Sequence, residues 1–140
     1  MKKLWFIIIL LALAACGGNV LETAAVAVPT TVPAVATIAP VPQAFTGKTM
    51  PASADAPRGA EIFKDNCVPC HGATGHGDGP AGTSLAPHPA NLAELAPRVE
   101  DDYLFWRIST GRDGTAMIAW SGVLTDAQIW DVVAFIRTLK

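Results

Sequence analysis

Residues 55–140 of this 140-residue chain are predicted to fold as an all-α domain of three to four helices joined by long loops, on three observations. Thr125-Asp126-Ala127-Gln128 is a capping box, in which the hydroxyl and the amide each answer a backbone N–H of the other residue. Ile129, Val132, Val133 and Ile136 follow it at helical spacing. No alternation of apolar and polar residues in this region reads as a strand. Residues 66–80, NCVPCHGATGHGDGP, crowd two cysteines and a histidine into five positions and run on into a glycine-rich loop with no apolar face. Such a stretch cannot hold itself together, so it must pack around something else.

The chain opens on Met1-Lys2-Lys3, a short basic start, followed by an apolar run from Leu4 to Ala15. Spanning a bilayer takes roughly 20 apolar residues, so the run is too short for that and has the layout of a signal peptide. Leu13-Ala14-Ala15-Cys16 resembles the lipobox of bacterial lipoproteins. The resemblance implies a signal peptide over residues 1–15, acylation of Cys16, and a mature chain held by lipid on the outer face of the bacterial cytoplasmic membrane. Its folded head would then lie in the periplasm or extracellular space. Two acyl chains anchor stably where one is marginal. The competing reading is an ordinary secretory signal with a cysteine nearby.

Residues 16–54 are built mainly of Ala, Val, Thr and Pro, with prolines at 29, 33, 40, 42 and 51 and almost no charge. This composition reads as a tether. Extended as polyproline it reaches on the order of 100 Å. A shuttle tether and a passive spacer fit it equally.

A domain as small as residues 55–140 buries a modest share of its surface and is marginal without reinforcement. With Cys16 committed to the membrane, the other two of the three cysteines, Cys67 and Cys70, stand three positions apart and offer no disulfide framework. Cys67-Val68-Pro69-Cys70-His71 is C-x-x-C-H, the attachment pattern of c-type haem. Two thiols add across the vinyl groups on one porphyrin edge, and the next residue offers its imidazole to the iron, which makes His71 the proximal ligand. A thioredoxin-like pair needs a βαβ setting, whereas Gly72, Gly75, Gly77 and Gly79 follow here. A zinc site needs further ligands, for which only His76 and His88 could be proposed.

For the sixth position on iron the chain offers Met50, His76, His88 and Met117. Met50 lies in the tether, and His76 follows His71 too closely to reach the other face. Met117 sits in GRDGTAMIAW, a glycine-rich loop between two helical patterns that can cross the distal face. His88, between Pro87 and Pro89, stays open as the alternative.

Asp55 is placed to cap a first helix with Pro57 in its opening turn, and Gly59 and Phe63 share one face of it. Asp101 and Asp102 open a second pattern, where negative charge suits the helix dipole. Leu104, Phe105 and Ile108 are its buried side, and Gly111 can end it.

From RGAEIFKDNCVPCHG to TAMIAWSGVLTDAQIWDVVAFIRTLK the region resembles a bacterial class I, monohaem cytochrome c, over essentially all of residues 55–140. The resemblance implies one covalent haem c and a crossing of first and last helices at Gly59, with Phe63 against Phe135. It implies that the carbonyl of Pro80 holds the proximal imidazole. It also implies that Trp120 reaches a haem propionate, a role that simple packing would equally explain. One departure stands out: the family commonly has Met-Pro, and here Ile118 follows Met117, which removes a rigid φ angle from the ligand loop.

Ligation by both His71 and Met117 describes an electron carrier rather than an enzyme, since it leaves iron no open position. No acid-base pair or nucleophile constellation stands out, and no small-molecule substrate is expected. The expected role is transfer of single electrons between respiratory or photosynthetic membrane complexes. The alternatives are a fixed cytochrome c subunit of a larger membrane oxidoreductase and a gas-binding or peroxidatic haem protein with a labile Met117. From residue 53 onward seven Lys and Arg face eleven Asp and Glu. This mildly acidic balance steers toward basic docking patches and excludes nucleic acid as a partner.

Overall fold

The structure, a computed structural model, describes residues 38–140. The segments expected to be a signal peptide, an acylated Cys16 and a tether up to residue 37 lie outside the described residues. The helices are α1 (Ala56–Asn66), α2 (Val68–His71), α3 (Leu92–Leu95), α4 (Asp101–Thr110) and α5 (Asp126–Ile136), with 3-10 turns at Gly82–Ser84 and Ala96–Arg98. Among the described residues there is no strand, only an isolated bridge between Ser121 and Leu124. No described helix is long and apolar enough to cross a membrane. The all-α expectation holds, and the short α2 and α3 are additions to it.

Helix α1 begins where its cap predicts: the Asp55 carboxylate accepts the Arg58 N–H at 2.8 Å. It crosses α5 so closely that a Cβ on Gly59 would overlap the backbone carbonyl of Asp131. Beside the crossing, the Phe63 and Phe135 rings meet with centroids 5.1 Å apart, tilted by 55°. Phe63, Ile129, Val132 and Val133 are fully buried there. Burying an aliphatic or aromatic side chain of this kind contributes about 1.5–3 kcal/mol. The capping box of α5 is present in both directions, between Thr125 and Gln128.

Asp131 is 3% exposed, yet its carboxylate is well served. It accepts the Asp55 N–H at 2.7 Å and two donors of Arg58, Nε and one terminal nitrogen, each at 3.0 Å. This ties the start of α1 to the middle of α5. Asp131→Asn keeps the shape, removes the charge and replaces one accepting oxygen by an NH2 that can only donate, so at least one of the three hydrogen bonds is lost. We expect it to destabilise the fold by about 1–2 kcal/mol, read as a fall of several degrees in the thermal midpoint.

Asp101 and Asp102 occupy the first turn of α4 as expected, and each also has a partner outside the helix. Asp101 pairs with Arg137 at 2.7 Å, and that guanidinium also donates to the carbonyls of Ala96 and Val99. The end of α5 is thereby clamped to the entry of α4. Asp102 accepts the N–H of Gly47 at 2.9 Å.

The Gly47 bond draws the preceding segment onto the helices. Residues 38–54, read from composition as the far end of the tether, are part of the same compact unit as the helices. Phe45 packs on Phe105 with centroids 6.3 Å apart, and the Lys48 ammonium stands 5.5 Å over the same ring. Met50 and Ala54 also pack on the core. A proline-rich segment with little charge is thus held by Phe45, Met50, Ala54 and a few hydrogen bonds.

Candidate functional site

Helix α2 is a single turn, and it carries all the chemistry of the C-x-x-C-H stretch. Its N–H groups close it: Cys70 N donates to Cys67 O at 3.1 Å and His71 N to the same oxygen at 2.8 Å. Two thiols and an imidazole therefore project from one turn. Gly72 ends it at φ +75°, a conformation that favours glycine. The turn at residues 79–82 covers its carbonyls, with Gly79 N on Cys70 O at 3.2 Å and Ala81 N on Pro69 O at 2.8 Å.

Cys67, Cys70, His71, Met117 and Trp120 line one cleft, and His88 lines it too. Most of the wall is apolar, supplied by Leu92, Leu104, Ile108, Val132 and Ile136 among others. Counted out to its open mouth, the atom-free space is about 1160 Å³. The sequence expectation thus brings together on one cavity five residues that span more than fifty positions.

Pro80 is not among them. Its carbonyl accepts from Thr83 Oγ1 at 3.3 Å, because the turn it belongs to caps the back of α2. The group facing His71 Nδ1 is the carbonyl of Ala90, at 3.2 Å. A carbonyl can only accept, so Nδ1 carries the proton and donates, which leaves the Nε2 lone pair free for a metal. Burial pushes the His71 pKa down, opposed by the bond to Ala90, which favours the neutral imidazole a metal requires.

His88 belongs to the segment that supplies this Ala90 carbonyl and also lines the cleft. Met117 is carried by the loop that follows α4. Gly111 terminates that helix at φ +70°, and a Cβ there would press on the backbone of Met117 and Ile118. Arg112 N donates to Met117 O at 2.9 Å, and Met117 N donates to Thr115 Oγ1 at 3.1 Å. Farther on, Trp120 N and Ser121 N donate to the carbonyls of Ile108 and Ser109 at 3.0 and 3.1 Å. These bonds fix the loop where a proline after Met117 would have fixed one φ angle. Ile118 itself is 60% exposed.

Burial, and secondarily the neighbouring Cys70, pushes the Cys67 thiol up to about 12. Burial of this kind works against the nucleophilic thiolate that disulfide exchange requires. Among the described residues no three His, Cys, Asp or Glu side chains converge as a metal site, so the zinc reading finds no ligand set there. His76 is turned to Thr74 Oγ1 at 2.7 Å.

The residues present fit a haem c. Paired thiols and an imidazole with a free Nε2 stand on one turn, a soft thioether sulfur comes from the loop after α4, and the cleft they share is mostly apolar. Cys67 and Cys70 would hold it by thioether bonds, with His71 and Met117 on the iron. Sequence reasoning missed the Ala90 carbonyl, Thr115, and two further cleft residues, Arg107 and Arg112. The two arginines bracket the helix end at Gly111, a signal visible in the sequence.

Residues 54–136 match the family described as cytochrome c oxidase, cbb3-type, subunit III. The cytochrome c6 of Thermosynechococcus vestitus is 31% identical over 84 residues, which cover 60% of this chain and 70% of that one. The cytochrome c6 of Synechococcus elongatus is 31% identical over 83 residues, 59% of this chain and 88% of the relative. Among solved structures, the reducing HAO-like protein complex of Kuenenia stuttgartiensis superposes with a TM-score of 0.57 at 29% identity. That match covers 65% of this chain and spans 44% of the other.

Proposed function

The chain belongs to the cytochrome c family defined by cbb3-type cytochrome c oxidase subunit III, and from that premise we propose that it is a membrane-tethered monohaem carrier ligated by His71 and Met117. It is an electron-transfer protein with one covalent haem c. The observation that carries the finer reading is the shared cleft: Cys67, Cys70, His71 and Met117 all line it.

Haem c supplies a one-electron ferric/ferrous couple. The chain's own residues do the rest. Cys67 and Cys70 make the attachment permanent, and the Ala90 carbonyl orients the His71 ring through Nδ1. The Met117 sulfur, a weak and soft donor, favours the ferrous state and raises the potential relative to a second nitrogen ligand. Leu104, Ile108, Val132 and Ile136 exclude water, which works in the same direction. Trp120, whose backbone N–H donates to the Ile108 carbonyl and whose side chain lines the cleft, would offer its indole N–H to a propionate. The hydrogen bonds around Thr115 and Arg112 hold the Met117 loop in place, so that Met117 would keep the sixth position on a bound haem iron closed.

Carbon monoxide tests that closure. The reduced wild type is expected to bind none rapidly at neutral pH, whereas reduced Met117→Ala binds one equivalent. Rapid stoichiometric binding by the wild type would instead indicate an open, gas-binding haem.

Residues 1–15 read as a signal peptide, Cys16 as the acylated residue and residues 16–37 as the tether, which places the carrier on the outer face of the membrane between redox complexes. Cys16→Ser is expected to move the protein from the membrane fraction to the soluble one. Retention in the membrane fraction contradicts the lipid anchor. The family description, an oxidase subunit, favours a second reading in which the domain is a fixed part of a larger complex. Purification in mild detergent separates the two: a shuttle runs alone, and a subunit co-migrates with its complex.

A further inference from the structure

We propose that Arg107 and Arg112 are the charge partners of the two haem propionates, so that the cleft beneath the end of α4 is the propionate end. The formal charges of the cleft carry the inference. The domain is acidic overall, yet no Asp, Glu or Lys lines the cleft, and its two arginines do. Arg58 and Arg137 have carboxylates at 3.0 and 2.7 Å. Arg107 and Arg112 have none within ion-pair distance among the described residues.

Arg107 is half-buried and held in place. Its guanidinium lies 3.8 Å from the Trp106 ring centroid and 5.5 Å from that of Tyr103, and its Nε reaches the Tyr103 hydroxyl at 3.5 Å. Stacking on aromatic faces fixes the planar fork while leaving the terminal nitrogens available to an anion. Arg112 is fixed through its backbone, whose N–H donates to Met117 O. Arg112 is exposed, whereas the half-buried Arg107 on an apolar wall gains most from a counter-charge. The group that fills this cleft brings two carboxylates, and a guanidinium pairs with a carboxylate through two parallel hydrogen bonds. Cys67 and Cys70, which enter from α2, then mark the thioether edge.

The inference rests on the haem ligation proposed above, and the test separates them. Holoprotein variants Arg107→Gln, Arg112→Gln and the double variant are compared with Arg98→Gln, an arginine outside the cleft. Two readouts are taken, the reduction potential by spectroelectrochemistry and the propionate bending band by resonance Raman. Each cleft variant is expected to favour the ferric state on the order of tenfold, 59 mV for a one-electron couple, and to shift the propionate band. Arg98→Gln should do neither, and Arg107→Lys, which keeps the charge, should hold the potential near wild type. An unchanged propionate band in the double variant overturns the pairing, whatever the potential does. So does an equal response from Arg98→Gln. The propionate band is read independently of the sulfur-to-iron band in the near infrared. Absence of the latter from wild type indicts Met117 ligation and leaves the arginine test standing.

Discussion

A chain carrying Cys67→Ala together with Cys70→Ala should emerge from maturation without covalent haem, giving no band on a haem-stained denaturing gel. The two thiols sit on one turn that hydrogen bonds from Cys70 and His71 to the Cys67 carbonyl close, and no other cysteine lies among the described residues. The consequence reaches beyond colour. A domain this small buries too little surface to be robust by itself, and Leu92, Leu104, Ile108, Val132 and Ile136 all present apolar surface to the cleft. A group bound only to the folded form stabilises it by mass action. A covalent one does so without dissociating. The alanine variant should therefore also lose its cooperative thermal transition. A haem-positive band from the double variant would show that the attachment lies elsewhere.

Gly59→Ala should lower the thermal midpoint of the holoprotein by roughly 10 °C or more. In an ordinary helix interior this change stabilises by up to about 1 kcal/mol. Here the added methyl meets the backbone of α5 at Asp131, which cannot rotate aside as a side chain would. Helices α1 and α5 must separate, loosening the Phe63–Phe135 contact and the Arg58–Asp131 pair next to it. Overpacking of this kind costs about 1–3 kcal/mol and occasionally more. The upper part of that range is expected, because backbone is the obstacle. Set against a total of about 5–15 kcal/mol for a folded domain, that is a large share, and each kcal/mol moves the midpoint of a small domain by about 4–8 °C. Glu61→Ala, on the exposed side of the same helix where Glu61 faces Lys64 at 3.8 Å, is the control and should move it little. An unchanged midpoint for Gly59→Ala would mean that the crossing tolerates a wider spacing than the structure shows.

What the sequence reveals and what it hides follow the range of the interactions involved. The C-x-x-C-H turn and the Thr125–Gln128 capping box are legible because each is closed within five residues. The crossing of α1 and α5 is legible through the resemblance, since a small residue and two aromatics mark it. The carbonyl that orients His71 is not. Gly79-Pro80 lies nearer in sequence and looks suitable, but its turn is used to cover the carbonyls of α2, and the loop that comes beside the imidazole arrives nineteen positions later at Ala90. Residues 38–54 mislead for a related reason. Their composition is that of a tether, and what docks them on the core, Phe45 on Phe105 with Met50 and Ala54 beside the buried cluster, is announced by no local pattern. Likewise Asp131 looks like a polar residue on the last helix until the fold brings Arg58 and the Asp55 N–H to it. Met117 is intermediate: its loop is recognisable, but the bonds from Arg112, to Thr115 and from Trp120 that hold it without a following proline appear only in three dimensions.

The central claim is that one iron is closed from both sides, by His71 from α2 and by Met117 from the loop after α4. Near-infrared absorption of the oxidised holoprotein tests it most directly, because sulfur bound to ferric haem gives a weak charge-transfer band there. The account predicts that the wild type shows the band and that Met117→His abolishes it while leaving the haem attached. A wild-type spectrum without the band, or a band that survives in Met117→His, would contradict it.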